Sequence, residues 1–185
     1  MQIQCDCGKF QAELVCFPQN SPGRLACYCD DCQNYLKKIQ REDRLDSFGG
    51  TEVVPVYPAE FKFVKGQENL RCNRLSKNGL NRWSTTCCNS PIANTKPNFP
   101  WVGLFHSVYT TKDPSYLENL GPIKSRIMGQ YAKRNPPFKV SKKLSIKDII
   151  VVLPFLLKGM IFKKYKNSPF FNDDGTTPIS VPQIL

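Results

Sequence analysis

Three cysteines fall within six residues in Cys27-Tyr28-Cys29-Asp30-Asp31-Cys32, and four more stand at Cys5, Cys7, Cys87 and Cys88. Thiols spaced this closely suit a soft divalent metal, because a single turn can present two of them to one ion. Zinc takes four tetrahedral ligands, and a site with only three protein ligands keeps a position for water or substrate. Cys5 and Cys7, joined by one or both of Cys87 and Cys88, are expected to form a closed structural zinc site that contributes to folding directly. A vicinal Cys87–Cys88 disulfide is the strained alternative. Cys27, Cys29 and Cys32 then lack an evident fourth cysteine. They make a candidate open zinc site, able to hold a thiol as thiolate and present its sulfur as nucleophile or leaving group.

The groups that could move a proton beside such a site are few. Asp30 and Asp31 lie inside the motif, and His106 is the only imidazole in the chain. A lone histidine on a strand is more often packed and hydrogen-bonded than catalytic, so both roles stay open for His106. Cys16 and Cys72 sit in segments with strand character and are expected to be packed thiols.

The elements that must position these residues are mostly strands. Lys9–Cys16 alternates apolar and polar residues, so Cys5-Asp6-Cys7-Gly8 becomes a turn feeding a strand, with Gly8 permitting the tight backbone. A loop from Phe17 to Arg24, broken by Pro18, Pro22 and Gly23, leads to the second cysteine cluster. Asp30 or Asp31 can cap a helix over Cys32–Gln40, which puts Cys32 at a helix N-terminus where a thiolate is favoured. Strands follow at 51–57, 60–64, 69–75, 81–85 and 101–110. The Asn78-Gly79 pair predicts a type I′ hairpin between two of them.

With 41% hydrophobic and 22% charged residues among 185, the composition is globular and unlike a fibrous or disordered chain. The N-terminus has neither a basic nor an apolar leader segment, so a reducing, cytoplasmic location is expected, where metal ligation is favoured over disulfides. The net charge is +11, and residues 121–166 carry twelve Lys or Arg against Asp148 alone. Domain organisation is accordingly read as a zinc-binding β domain over 1–120 and a basic C-terminal extension over 121–185. Within the extension, Ser145-Ile146-Lys147-Asp148 reads as a capping box before an amphipathic helix kinked at Pro154. The apolar run is too short to span a bilayer. Packing on the sheet, a homo-oligomer interface and contact with an anionic membrane surface are its open roles. The Pro- and Asp-containing tail to Leu185 is expected to be extended.

The CxCG near the start, the CxCxxC about twenty residues later, the β run and the late cysteine turn followed by Ser90-Pro91-Ile92 resemble the glutathione-dependent formaldehyde-activating enzyme and centromere protein V superfamily. The likeness spans roughly residues 3–110. Cys27 to Gln33, Gly49-Gly50-Thr51, Arg74-Leu75-Ser76, Arg82-Trp83 and Pro91 to Thr95 look like an uncharacterised bacterial branch. The resemblance implies a β-tent of antiparallel sheets with zinc-binding turns. It implies structural ligands at Cys5, Cys7 and Cys88 and an active trio at Cys27, Cys29 and Cys32 that meets a hydroxymethyl thiol. The family's first late cysteine falls here on Thr85, so Cys87 supplies the fourth thiolate or the cage has three.

Two functions follow as expectations. The first is a zinc-dependent carbon–sulfur lyase acting on small thiol adducts of the glutathione-conjugate type, with Asp30, Asp31 or His106 moving the proton. The second is a non-enzymatic, zinc-stabilised binding module whose basic region meets an anionic partner. Nucleic acid is the less favoured such partner, because Tyr131, Phe138 and Tyr165 are framed by no nucleic-acid motif.

Overall fold

Short half-buried segments separated by Gly, Pro and Asn turns build sheets rather than long helices. The computed structural model describes residues 1–17, 21–110 and 115–185. In chain order the strands are β1 (Gln2–Gln4), β2 (Gln11–Leu14), β3 (Arg24–Cys27), β4 (Thr51–Val56), β5 (Phe61–Lys65), β6 (Leu70–Arg74) and β7 (Asn81–Thr85). They continue as β8 (Pro91–Thr95), β9 (Val102–Phe105), β10 (Ile123–Ile127) and β11 (Gln183–Ile184). The helices are α1 (Asp30–Lys38), α2 (Ser107–Thr110), α3 (Tyr116–Asn119) and α4 (Ile146–Ile161).

The fold is mainly β. A three-stranded sheet runs β1-β2-β5, and an eight-stranded sheet runs β10-β3-β4-β9-β8-β7-β6-β11. Pairing is antiparallel except at the two ends of the large sheet, where β10 adds parallel to β3 and β11 parallel to β6. Residues beyond 120 therefore supply both of its edge strands. Apolar side chains between the sheets form the main core, with Phe10, Leu14, Trp83 and Leu104 fully buried.

Strand β7 shows how one segment serves two faces. Side chains alternate across a strand, so Trp83 and Arg82 point to opposite sides. Trp83 meets the Phe170 ring at 5.1 Å, within a cluster that also contains Phe61 and Phe63. Arg82 lies on the other face, against the Tyr35 ring of α1. The C-terminal tail is thus docked rather than simply extended, because Phe170 and Phe171 bury large apolar surfaces in the core.

Several local expectations are corrected. Strand β2 ends at Leu14, so Cys16 lies beyond the alternating segment and is exposed. Cys72 is buried, as a packed thiol should be. Six residues separate β6 from β7, and neither Asn78 nor Gly79 takes positive φ. A loop of that length is free of the twist constraint that demands a type I′ turn, and Arg74 ties it by donating to Asn81 Oδ1 and the Lys77 carbonyl. β9 stops at Phe105, leaving His106 at a turn into α2. Helix α1 starts earlier than expected, with Cys29 as its N-cap and both aspartates in its first turn. Pro18 of the expected early loop lies outside the described residues.

Helix α4 forms as its capping box predicts and continues through Pro154. No helix among the described residues is long and apolar enough to cross a membrane. Gly159 allows a close approach: a Cβ there would lie 2.5 Å from Pro100 and 2.6 Å from the Tyr57 ring. Tyr57 stacks on Phe155 at 4.1 Å and donates its hydroxyl to the Phe155 carbonyl. At the helix start, Asp148 accepts from the Ser145 amide and hydroxyl and from Ser125 Oγ of β10.

Burial would raise the Asp148 carboxyl, but these hydrogen bonds outweigh it and bring its pKa from 3.8 to about 2. A folded-state value below the unfolded one contributes stability that is complete above about pH 4 and lost as pH falls toward 2. Asp148→Asn is expected to remove on the order of 2 kcal/mol near neutrality. Its deficit against the parent should shrink below pH 3 in urea denaturation, and an equal deficit at both pH values would refute the linkage.

Candidate metal centres

Cys5 leaves the end of β1, and the chain reverses at Gly8, where φ is +72° and the Gly8 amide donates to the Cys5 carbonyl. Opposite it, the turn between β7 and β8 brings Cys87 and Cys88 to the same place. The Sγ separations are 3.6 Å for Cys5–Cys7, 3.9 Å for Cys5–Cys87, 3.3 Å for Cys7–Cys87 and 3.8 Å for Cys87–Cys88. Sulfurs placed tetrahedrally on zinc, with bonds of about 2.3 Å, stand about 3.8 Å apart. All four donors lie within 4.8 Å of one another, so number, chemistry and spacing fit a four-thiolate zinc site. Both vicinal cysteines belong to this group of four. The Thr85 hydroxyl lies 3.4 Å from Cys88 Sγ, outside the sulfur cage.

Outer contacts hold these sulfurs. The Phe10 amide donates to Cys5 Sγ, and Ser90 Oγ stands 3.2 Å from Cys88 Sγ while accepting from the Asp6 amide. Arg41 reaches the Cys88 carbonyl and pairs with Asp6 at 2.6 Å. Burial pushes the Cys5 thiol up to about 12. Burial also acts to raise Cys88, but hydrogen bonds to Ser90 and Thr85 bring it down to about 6.

The second centre is built over a much shorter stretch. β3 delivers Cys27 between β4 and β10, in register with Thr51 and Ile127. Cys29 caps α1, and its carbonyl accepts from the amides of Cys32 and Gln33. Gly50 leaves room for the Tyr28 ring, since a Cβ there would lie 2.4 Å from it. The Sγ atoms of Cys27, Cys29 and Cys32 lie within 4.8 Å of one another, and no fourth Cys, His, Asp or Glu joins them among the described residues. Three thiols so placed fit zinc with one coordination position left to another group.

This trio opens on a cavity of about 450 Å³. Leu25, Val53, Phe99 and Trp101 line it together with Val152 and Leu156 of α4. Arg82 is the buried cation of the site, 3% exposed, with Nη1 3.9 Å from Cys32 Sγ and 3.5 Å from Asn94 Oδ1. Hydrogen bonds from Cys27 and Cys29, with the Arg82 charge, hold Cys32 well below the usual thiol value. The same sulfur contacts raise Cys27.

The proton-transfer candidates separate. Asp31 lines the cavity, with its carboxylate 3.7 Å from Arg82 Nη2 and largely exposed. Asp30 is exposed and lies outside that lining. His106 lines a different cavity of about 170 Å³ with Asp46 and Glu52, its Nδ1 3.4 Å from the Glu52 carbonyl. Burial holds its pKa below the ordinary value. Arg82 and the α4 wall were not singled out as site features by sequence reasoning. The available signal was β7 itself, whose residues Asn81, Arg82, Ser84 and Thr85 are polar and flank Trp83.

No curated protein matches the chain. A crystal structure of a Rhodobacter sphaeroides protein, a structural-genomics target, is similar at 16% identity with a TM-score of 0.47, covering 66% of this chain and 97% of that one. The profile of a family of unknown function, DUF6151, matches residues 1–181, and the chain belongs to that family.

Proposed function

We propose that the chain binds small thiols or thiol adducts at a zinc ion held by Cys27, Cys29 and Cys32, and cleaves the carbon–sulfur bond of such adducts. The observation that carries this reading is the contrast between two cysteine groups: one gathers four sulfurs, the other three at the wall of a cavity. The motif resemblance to the formaldehyde-activating enzymes supports the same chemistry. Zinc in a three-thiolate site supplies a Lewis acid with a position for sulfur and lowers the pKa of a thiol bound there.

The chain's own groups divide the remaining work. The apolar walls exclude water and favour a thiol whose other substituent is apolar. Three thiolates on a divalent ion leave one negative charge, which the Arg82 guanidinium offsets. In a hydroxymethyl thioether, Asp31 takes the hydroxyl proton, the oxygen electrons form the carbonyl, and the carbon–sulfur pair leaves on sulfur. The products are an aldehyde, a thiolate and a protonated Asp31.

Metal analysis of the full-length protein should find two zinc equivalents, and Cys27→Ala should retain one. Incubation of the zinc protein with hydroxymethyl adducts of apolar thiols should release aldehyde, and Asp31→Asn should slow release by about 10²-fold. An unchanged rate in Asp31→Asn would remove that residue's role. A two-zinc protein whose cobalt-substituted second site shows no spectral response to thiols, and that releases no aldehyde, would sink the proposal.

A further inference from the structure

Independently of that reading, we infer that α4 rests on an anionic lipid surface, with one apolar stripe turned into the interface. Ile146, Ile150, Leu153, Leu157 and Ile161 recur at three- and four-residue steps and therefore share one side of the helix. All are exposed, Ile146 at 76%, Ile150 at 60% and Ile161 at 72%. Ile149 and Met160 widen the stripe. This side cannot rotate inward, because Phe155, Gly159 and Asp148 on the opposite side are fixed to Tyr57, Pro100 and Ser125. A sixteen-residue helix extends about 24 Å, long enough to present a continuous apolar ridge. It falls short of a span, so a surface position is the one its length permits.

Charge chooses the occupant. Lys142 and Lys143 precede the helix, Lys147 flanks its first turn, and Lys163 and Lys166 follow it, all exposed and none ion-paired with a described residue. The one acid between residues 121 and 166, Asp148, is turned into the protein. An apolar ridge bordered by unopposed lysines matches a bilayer that carries negative headgroups over a hydrocarbon interior. Nucleic acid would meet the lysines but leave the ridge in water. A second copy would cover the ridge but set two lysine groups against each other.

The test is co-sedimentation of the zinc-loaded, full-length protein with vesicles of neutral phosphatidylcholine or of phosphatidylcholine containing phosphatidylserine. Binding is expected to the second and not the first, and to weaken in high salt. Lys143→Ala and Lys147→Ala should each lower partitioning about fivefold. Leu153→Asp combined with Leu157→Asp should abolish it while leaving the melting temperature and zinc content unchanged, since both positions are exposed. The inference fails if phosphatidylserine gives no preference, or if the double aspartate variant binds as the parent does. It also fails if the ridge instead drives a concentration-dependent dimer or RNA binding with no lipid partition. Aldehyde release plays no part in these readouts, so either proposal can fail alone.

Discussion

Cys5→Ser is expected to unfold the protein, or to lower its melting temperature by more than about 10 °C, under conditions where Cys16→Ser has no effect. Cys5 is fully buried with its sulfur 3.6 Å from Cys7 and 3.9 Å from Cys87, whereas Cys16 is exposed just past the end of β2. Structural zinc binding is typically worth about 10–16 kcal/mol in small zinc domains, which is comparable to the whole stability of a domain. The four-sulfur site also joins β1 to the β7–β8 turn across some eighty residues of chain. Its loss therefore frees a long loop, and loop-closure entropy grows with length. By the same reasoning Cys27→Ser should be milder, because its three sulfurs lie within one six-residue stretch. Thermal denaturation with zinc analysis checks the ranking, and a Cys5→Ser protein that melts within about 2 °C of the parent would contradict it.

Arg82→Met should weaken metal retention at the trio by about 10–100-fold while leaving the four-sulfur site intact. The guanidinium is buried, 3.9 Å from Cys32 Sγ, where it would offset the excess negative charge of three thiolates on one divalent ion. Methionine keeps much of the volume over the Tyr35 ring, so packing loss is limited and the change is chiefly electrostatic. Competition of the trio's metal with a chromophoric chelator measures the effect, with the first equivalent as internal reference. If both equivalents weakened together, a global loss of stability would be the cause, and Arg82 would have no local role.

The sequence revealed the donors more readily than their surroundings. The CxCG and CxCxxC spacings are local, and local geometry brings those thiols together whatever the rest of the chain does. That Cys5 and Cys7 meet the Cys87-Cys88 turn needed only the assumption that one β run closes on itself, whereas the presence of both vicinal thiols in the group needed the turn's own geometry. Arg82 was harder to see, because its value depends on which side of β7 faces α1, and that follows from sheet order. His106 was misplaced on a strand because the apolar run continues through Val108 and Tyr109, which are buried from a helical turn instead. The tail was hidden for a related reason. Phe170 and Phe171 stand together among mostly polar neighbours, and no periodicity reveals that both are buried in the core, Phe170 against Trp83.

The parallel addition of β10 to β3 carries a consequence for how the chain is made. During synthesis β3 emerges early and gains β4 soon after, yet its other side waits until residues 123–127 have left the ribosome. For that interval an unpaired strand edge stands beside Cys27, open to pairing with another chain. Timely capture of metal by three neighbouring sulfurs, which needs no distant residue, would stiffen that edge before its permanent neighbour arrives.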